Sequence, residues 1–162
     1  MKYLPVDGYC FVDQFNLRWL KMELLNNKGK NLLASDPQGY LFEVTLSYPS
    51  NLHDLHSQFP ILPVNREVFD DEISHMSYFL LNGKKRLRAP KLIADFNKRE
   101  KYVVHYVQLK KALELGLILE EVHSAIQFNQ RPFLSPYIEE CLQKRNNATN
   151  SFEKNFYKLK VR

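Results

Sequence analysis

A chain of 162 residues has the length of one domain and can bury roughly 70% of the surface its unfolded form exposes. With 44% hydrophobic and 25% charged residues it has a soluble globular composition, and no apolar run approaches the roughly 18 residues of a membrane span. Two cysteines, Cys10 and Cys141, make no disulfide framework and point to a reducing compartment. MKYLPVDGYC lacks the continuous apolar stretch of a signal peptide, so an intracellular setting, nucleus or cytoplasm, is expected.

Residues 1–14 read as an extended segment with a turn at Asp7-Gly8, where glycine accepts a positive φ. FNLRWLKMELLNN places Leu17, Leu20 and Leu24 at helical spacing, and Lys28-Gly29-Lys30 ends that helix. Asp36-Pro37-Gln38-Gly39 is a turn. After it, Tyr40, Phe42, Val44 and Leu46 alternate with Leu41, Glu43 and Thr45, the pattern of a half-buried strand. Pro49, Pro60 and Pro63 interrupt the next stretch, leaving room for a short helix over 51–57. Residues 64–83 are acidic in the middle (Asp70, Asp71, Glu72) and carry no clear period. From Lys84 to Lys101 the chain turns basic, with eight lysines and arginines against two acids.

The second half is better patterned. Tyr102, Tyr106, Leu109 and Leu113 form a helical stripe that Gly116 closes. Val122, Ser124, Ile126 and Phe128 alternate with His123, Ala125 and Gln127, predicting a strand. Ser135-Pro136 supplies an N-cap and a first-turn proline. The helix it starts runs through Ile138, Cys141, Leu142 and Arg145 and is expected to continue into the terminal FEKNFYKL. The fold class is α+β, with no internal repeat.

In that terminal stretch Phe152, Phe156 and Leu159 fall on one helical face, and Lys154 and Lys158 on the opposite one. No Gly, Asn or Pro comes after them, so the helix looks cut at Arg162.

Few residues suggest chemistry on their own. His53 and His56 in HDLH could share a metal, but with no third ligand a turn role is the plainer reading. GKKRLRAPK (83–91) carries Lys84, Lys85, Arg86, Arg88 and Lys91. It fits a phosphate-contacting loop, a nuclear-localisation patch or a solvated loop. A net charge of +5 admits a polyanionic partner without requiring one. The aromatic pairs Tyr102/Tyr106 and Phe152/Phe156, with Tyr157, could stack bases, although helical spacing favours a core role. Both cysteines read as buried thiols. No Ser/His/Asp arrangement, GxGxxG or Walker loop is present.

Longer stretches carry a resemblance. GYLFEVTLSYPSNLHDLHSQFPILP (39–63) resembles a segment of the protein-primed family-B DNA polymerases of Maverick/Polinton transposons and related linear viral or plasmid elements. KREKYVVHYVQLKKALELGLILEEVHSAIQFNQRPFLSPYIEE (98–140) is similar to the stretch that approaches their fingers. KRNNATNSFEKNFYKL (144–159) resembles the start of the fingers helix. LPVDGYCFV resembles the segment just after the first catalytic palm motif.

The resemblance implies one partial domain: a palm strand and insertion-like segment (1–63), a variable basic loop (64–100) and palm-to-fingers helices (101–162). In the family the fingers helix carries Lys-x-x-x-Asn-Ser-x-Tyr/Phe-Gly, whose lysine binds the phosphates of the incoming nucleotide. The matching residue is Lys158, with Lys154 one turn earlier; where the family has Asn, this chain has Arg162. Thr45 and Ser47 stand where acids are expected, and Asn146 and Thr149 where bases are.

The aspartates that hold two metal ions in the family would lie before Met1 and beyond Arg162. The resemblance therefore implies no catalytic or metal-binding residue here, and Mg²⁺ only in the complete polymerase. Implied partners are primer–template DNA, deoxynucleotides and a terminal-protein primer, with no membrane. Two other readings stand beside it: a non-enzymatic nucleic-acid-binding remnant of a mobile element, and a fragment with no independent role.

Overall fold

In the computed structural model, which describes residues 3–81 and 89–160, the alternating residues after Gln38 form the central strand of the sheet. Strand β2 (Gln38–Ser47) buries Phe42, Val44 and Leu46. It lies between β5 (Arg99–His105) and β6 (Ile118–Arg131), and β6 carries β1 (Leu4–Phe11) on its far side. The order is β1-β6-β2-β5, and every pairing is antiparallel.

Helix α1 (Gln14–Asn27) has the predicted pattern. The Asp13 carboxylate accepts from the amides of Phe15 (3.0 Å) and Asn16 (2.9 Å). This satisfies two donors that a bare helix start leaves open. Leu17, Leu20 and Leu24 pack with the β2 residues and with Leu109 and Leu113 of α3 (Tyr106–Glu114) into one apolar core. Buried Glu23 closes the helix end, accepting from Asn27 Nδ2 (2.8 Å) and from the Asn31 amide and side chain (both 3.0 Å). The other face of α1 leaves Phe15, Trp19 and Met22 exposed.

Several expectations are corrected. Tyr102 lies in β5, not in a helix, and its hydroxyl donates to the Pro63 carbonyl at 2.9 Å. The β-branched pair Val103-Val104 favours the strand, and the helix starts only at Tyr106, after His105 accepts from the Val107 amide. Gly116 does come after that helix, at φ +103°.

β6 does not alternate strictly. Its pairing with β2 slips between Glu43 and Val44 and again between Thr45 and Leu46, leaving His123 and Glu120 as extra residues. Each bulge reverses which face the next side chain meets. Leu119, Val122 and Ala125 are therefore the residues opposite Leu46, Val44 and Phe42. Phe128 pairs with Gly39, and a Cβ at Gly39 would lie 2.4 Å from its ring.

Asp7-Gly8 is no chain-reversing turn but part of an irregularity inside β1, where Gly8 has φ +69° and the register slips on both sides of Asp7. On β5, Lys101 takes φ +47°, beside a second slip. In place of the short helix over 51–57, a 3-10 turn at Ser50–Leu52 leads into further turns. The unassigned stretch contains β3 (Val64–Arg66), a 3-10 turn at Asp70–Glu72 and α2 (His75–Leu81); β3 pairs with β4 (Lys91–Ile93). Cys141 is buried, but Cys10 is exposed on the edge strand β1.

The terminal helix is also not continuous. α4 (Ser135–Asn147) stops, and α5 (Ser151–Lys160) starts afresh under Asn150, whose side chain accepts from the Glu153 amide at 2.8 Å. The two helices pack on each other as a hairpin. No described helix is long and apolar enough to cross a membrane.

Candidate functional site

On α5, Lys154 and Lys158 are both exposed, one turn apart, and no described carboxylate forms an ion pair with either. The helix meets α4 on another side, where Tyr157 is half-buried beside Lys144. Lys144 itself is paired with Glu140 at 2.6 Å. Two ammonium groups with three donors each, held at one helical repeat, can reach separate oxygens of one polyphosphate.

The opposite face is apolar and largely exposed. No residue of α5 is buried; Phe152 is 77% and Phe156 44% exposed. Their rings lie 6.4 Å apart at an interplanar angle of 15°, and Lys160 Nζ sits 4.9 Å from the Phe156 centroid. Of the other aromatic pair, Tyr106 is in the core and Tyr102 is half-buried against it from strand β5, not along a helical stripe.

The basic run divides into unlike parts. Lys84, Lys85, Arg86 and Arg88 lie outside the described residues. Lys91 is exposed on β4, opposite Arg66. Lys98 pairs with Glu120 at 2.6 Å, and Arg99 is buried in the fold. Lys91 and the α5 lysines thus stand on different elements.

His53 and His56 serve the turn. Both rings meet Tyr48 edge-on, the Tyr48 hydroxyl and His56 Nδ1 share a 2.5 Å hydrogen bond, and His53 stacks on Phe96 at 4.4 Å. Among the described residues no cluster of three His, Cys, Asp or Glu side chains could hold a metal ion.

One cluster had no signature in the sequence. A cleft of about 760 Å³ is lined by Lys21, Thr45, Lys98, Glu120, Glu121 and His123, among others. Thr45 Oγ1 and His123 Nε2 share a 2.8 Å hydrogen bond, and Glu121 lies 3.8 Å from His123 Nδ1. Hydroxyl, imidazole and carboxylate in that order can relay a proton. Here the carboxylate is beyond hydrogen-bond distance and Thr45 is buried. Ser47, the second position at which the resemblance implies an acid, hydrogen-bonds Glu120 on the same strand pair. A mainly apolar groove of about 470 Å³ lies between Tyr3, Pro5, His105 and Tyr106. Burial holds the His105 imidazole below its ordinary pKa, so it is neutral at pH 7.

Comparison with protein-family models, with curated proteins and with solved structures finds no match. Only the residues of the site and the resemblance of the quoted stretches therefore bear on its role. α5 offers two exposed lysines one turn apart, neither in an ion pair with a carboxylate among the described residues.

Proposed function

We propose that this chain is part of a protein-primed family-B DNA polymerase, spanning a palm sheet with its insertion and the base of the fingers. The complete enzyme would replicate the DNA of a mobile element or virus. In this reading Lys158, with Lys154 one turn before it, receives the triphosphate of the incoming deoxynucleotide. The single observation that carries the proposal is the pair of exposed lysines on α5 with no carboxylate partner among the described residues. The mixed α+β chain with its antiparallel sheet, ending in the α4–α5 hairpin, is compatible with that reading.

What such a site contributes is charge placed ahead of the reaction. Two ammonium groups offset the triphosphate's negative charge and fix its position, the main task of a protein in phosphoryl and nucleotidyl transfer. The complete polymerase also uses two Mg²⁺ ions, held by aspartates that have no counterpart in this chain. No step through metal is assigned here. The chain alone is expected to bind nucleotide without extending a primer.

A photoreactive deoxynucleoside triphosphate, cross-linked to the purified chain and mapped by peptide mass spectrometry, tests this. Label on α5 that disappears in Lys158→Ala is the expected result, with no product in primer extension. Label unaffected by that substitution, or reproducible extension by contaminant-free chain, overturns it. If the chain is instead a non-enzymatic DNA-binding remnant, exposed Lys91 and its neighbours 84–88 provide the contacts. Binding to primer–template DNA then loses salt dependence, by about 0.9 log units per phosphate contact removed, when Lys84, Lys85, Arg86 and Arg88 become Gln.

A further inference from the structure

We propose that the groove between the start of β1 and the start of α3 binds a small uncharged carboxamide with an apolar ring. At about 470 Å³ it has the size of a small-molecule site, and such sites combine apolar walls with a few placed polar groups. Leu4, Pro5 and Val107 give apolar wall, and Tyr3 and Tyr106 give rings. No lysine, arginine, aspartate or glutamate lines the groove among the described residues. In a chain that is 25% charged, this leaves an ionic ligand nothing to pair with once its water is stripped, which is costly.

The polar groups that remain define the ligand. His105 lines the groove, and its Nδ1 accepts from the Val107 amide at 3.4 Å. Burial lowers the pKa of this ring and keeps it neutral. Its proton therefore sits on Nε2, a donor with no partner among the described residues. The complementary acceptor comes from Gln130, whose side chain also lines the groove. Gln130 is 4% exposed, and its Nε2 is engaged by the Tyr106 hydroxyl (2.7 Å) and the Asp36 carbonyl (2.8 Å). Its Oε1 is buried without a partner among the described residues. The Tyr106 hydroxyl in turn donates to the Leu33 carbonyl at 3.0 Å, so this wall is held in place before a ligand arrives. One unpaired donor and one unpaired acceptor beside apolar wall match a carbonyl and an N–H on a single small molecule. A primary carboxamide presents both.

The groove shares no residue with α5, so this assignment and the triphosphate one fail separately. Benzamide is the probe, titrated into the full chain and followed by proton–nitrogen correlation NMR of the histidine rings. The comparison compounds keep the aromatic ring: acetophenone lacks the N–H, benzoate is an anion and benzylamine a cation. Benzamide is expected to bind in about the millimolar range and to shift the His105 Nε2 resonance. Acetophenone should bind several-fold more weakly, and the two ions about tenfold or more weakly. Two variants test the location. Ala34→Trp fills the groove from its exposed rim. His105→Asn keeps a capping side chain for α3 but removes the ring donor. Each should lose benzamide binding while keeping the native melting temperature.

Benzamide binding that either variant leaves intact overturns the proposal. So does binding of acetophenone, benzoate or benzylamine as tight as that of benzamide, or the absence of a His105 shift at the solubility limit of benzamide. Loss of the Lys158 label with benzamide binding intact would sink the nucleotide assignment instead.

Discussion

Arg99 meets the Asp95 carboxylate at 2.6 Å with its own side chain only 1% exposed. Its remaining donors go to backbone: Nε to the Leu62 carbonyl (2.8 Å), Nη2 to the Asp95 carbonyl (2.7 Å), and Nη1 also to the Asn97 carbonyl. The residue that reads in sequence as part of a basic patch is the clamp between β5 and the loop before β3.

Removing that clamp should be costly. Arg99→Met leaves a carboxylate and several carbonyls without their donor, and losing one partner of a buried pair costs about 3 kcal/mol or more. Arg99→Lys should recover little of it, because a single ammonium cannot reproduce the planar fork. Urea denaturation of the three proteins measures both effects. A loss below about 1 kcal/mol in Arg99→Met would show that the clamp is dispensable.

Acid should weaken the same region. Arg66 bridges Glu72 (2.6 Å) and Asp95 (3.1 Å). Its hydrogen bond, with one from the Phe69 amide, holds the Glu72 carboxyl at about 2, against an ordinary 4.5. Burial pushes Asp95 up, but hydrogen bonds from Arg66 and Arg99 outweigh it and leave that carboxyl below its usual value. A depressed carboxyl contributes its stability fully above the unfolded-state pKa and loses it as pH falls through the folded-state one. The urea midpoint should thus hold from pH 7 to about 5 and fall as pH approaches 2, with a shallower fall in Arg66→Gln. An identical acid limb in that variant would remove the bridge from the account.

Gly39→Ala tests the outer side of the sheet. The added methyl would sit 2.4 Å from Phe128 Cε2 and 2.7 Å from Gln130 Oε1. Phe128 is itself packed beside Tyr9 and His105. Overpacking of this kind costs about 1–3 kcal/mol, and Phe128→Leu in the same chain should recover part of it. Thermal unfolding of the single and double variants decides the matter, and a single variant as stable as the native chain would contradict the packing described.

Where one helix face or one strand face does all the burying, the sequence is readable: Leu17, Leu20 and Leu24 in α1, or Phe42, Val44 and Leu46 in β2. The core face of β6 was not, because two bulges turn a period of two into steps of three, and bulges leave no composition signal. Tyr102 and Tyr106 fit a helical stripe by spacing, but strand pairing with β2 overrides it. At the candidate site, the two faces of α5 could be read from periodicity alone. Whether anything covers the apolar one could not, since that depends on what the rest of the chain brings near it. Nor could spacing suggest that Thr45 meets His123, 78 residues away, because strand pairing alone brings them together.

The irregularities at the two flanks of the sheet have a consequence for the chain at high concentration. β1 and β5 are the outer strands, and unpaired outer strands are where sheets from separate molecules join. β1 carries Pro5 and slips register on either side of Asp7, while β5 is kinked at Lys101. Fibril growth copies a straight segment of about six residues. Neither flank of this sheet offers one, so a preformed amyloid seed would find no straight edge of that length on β1 or β5 to copy.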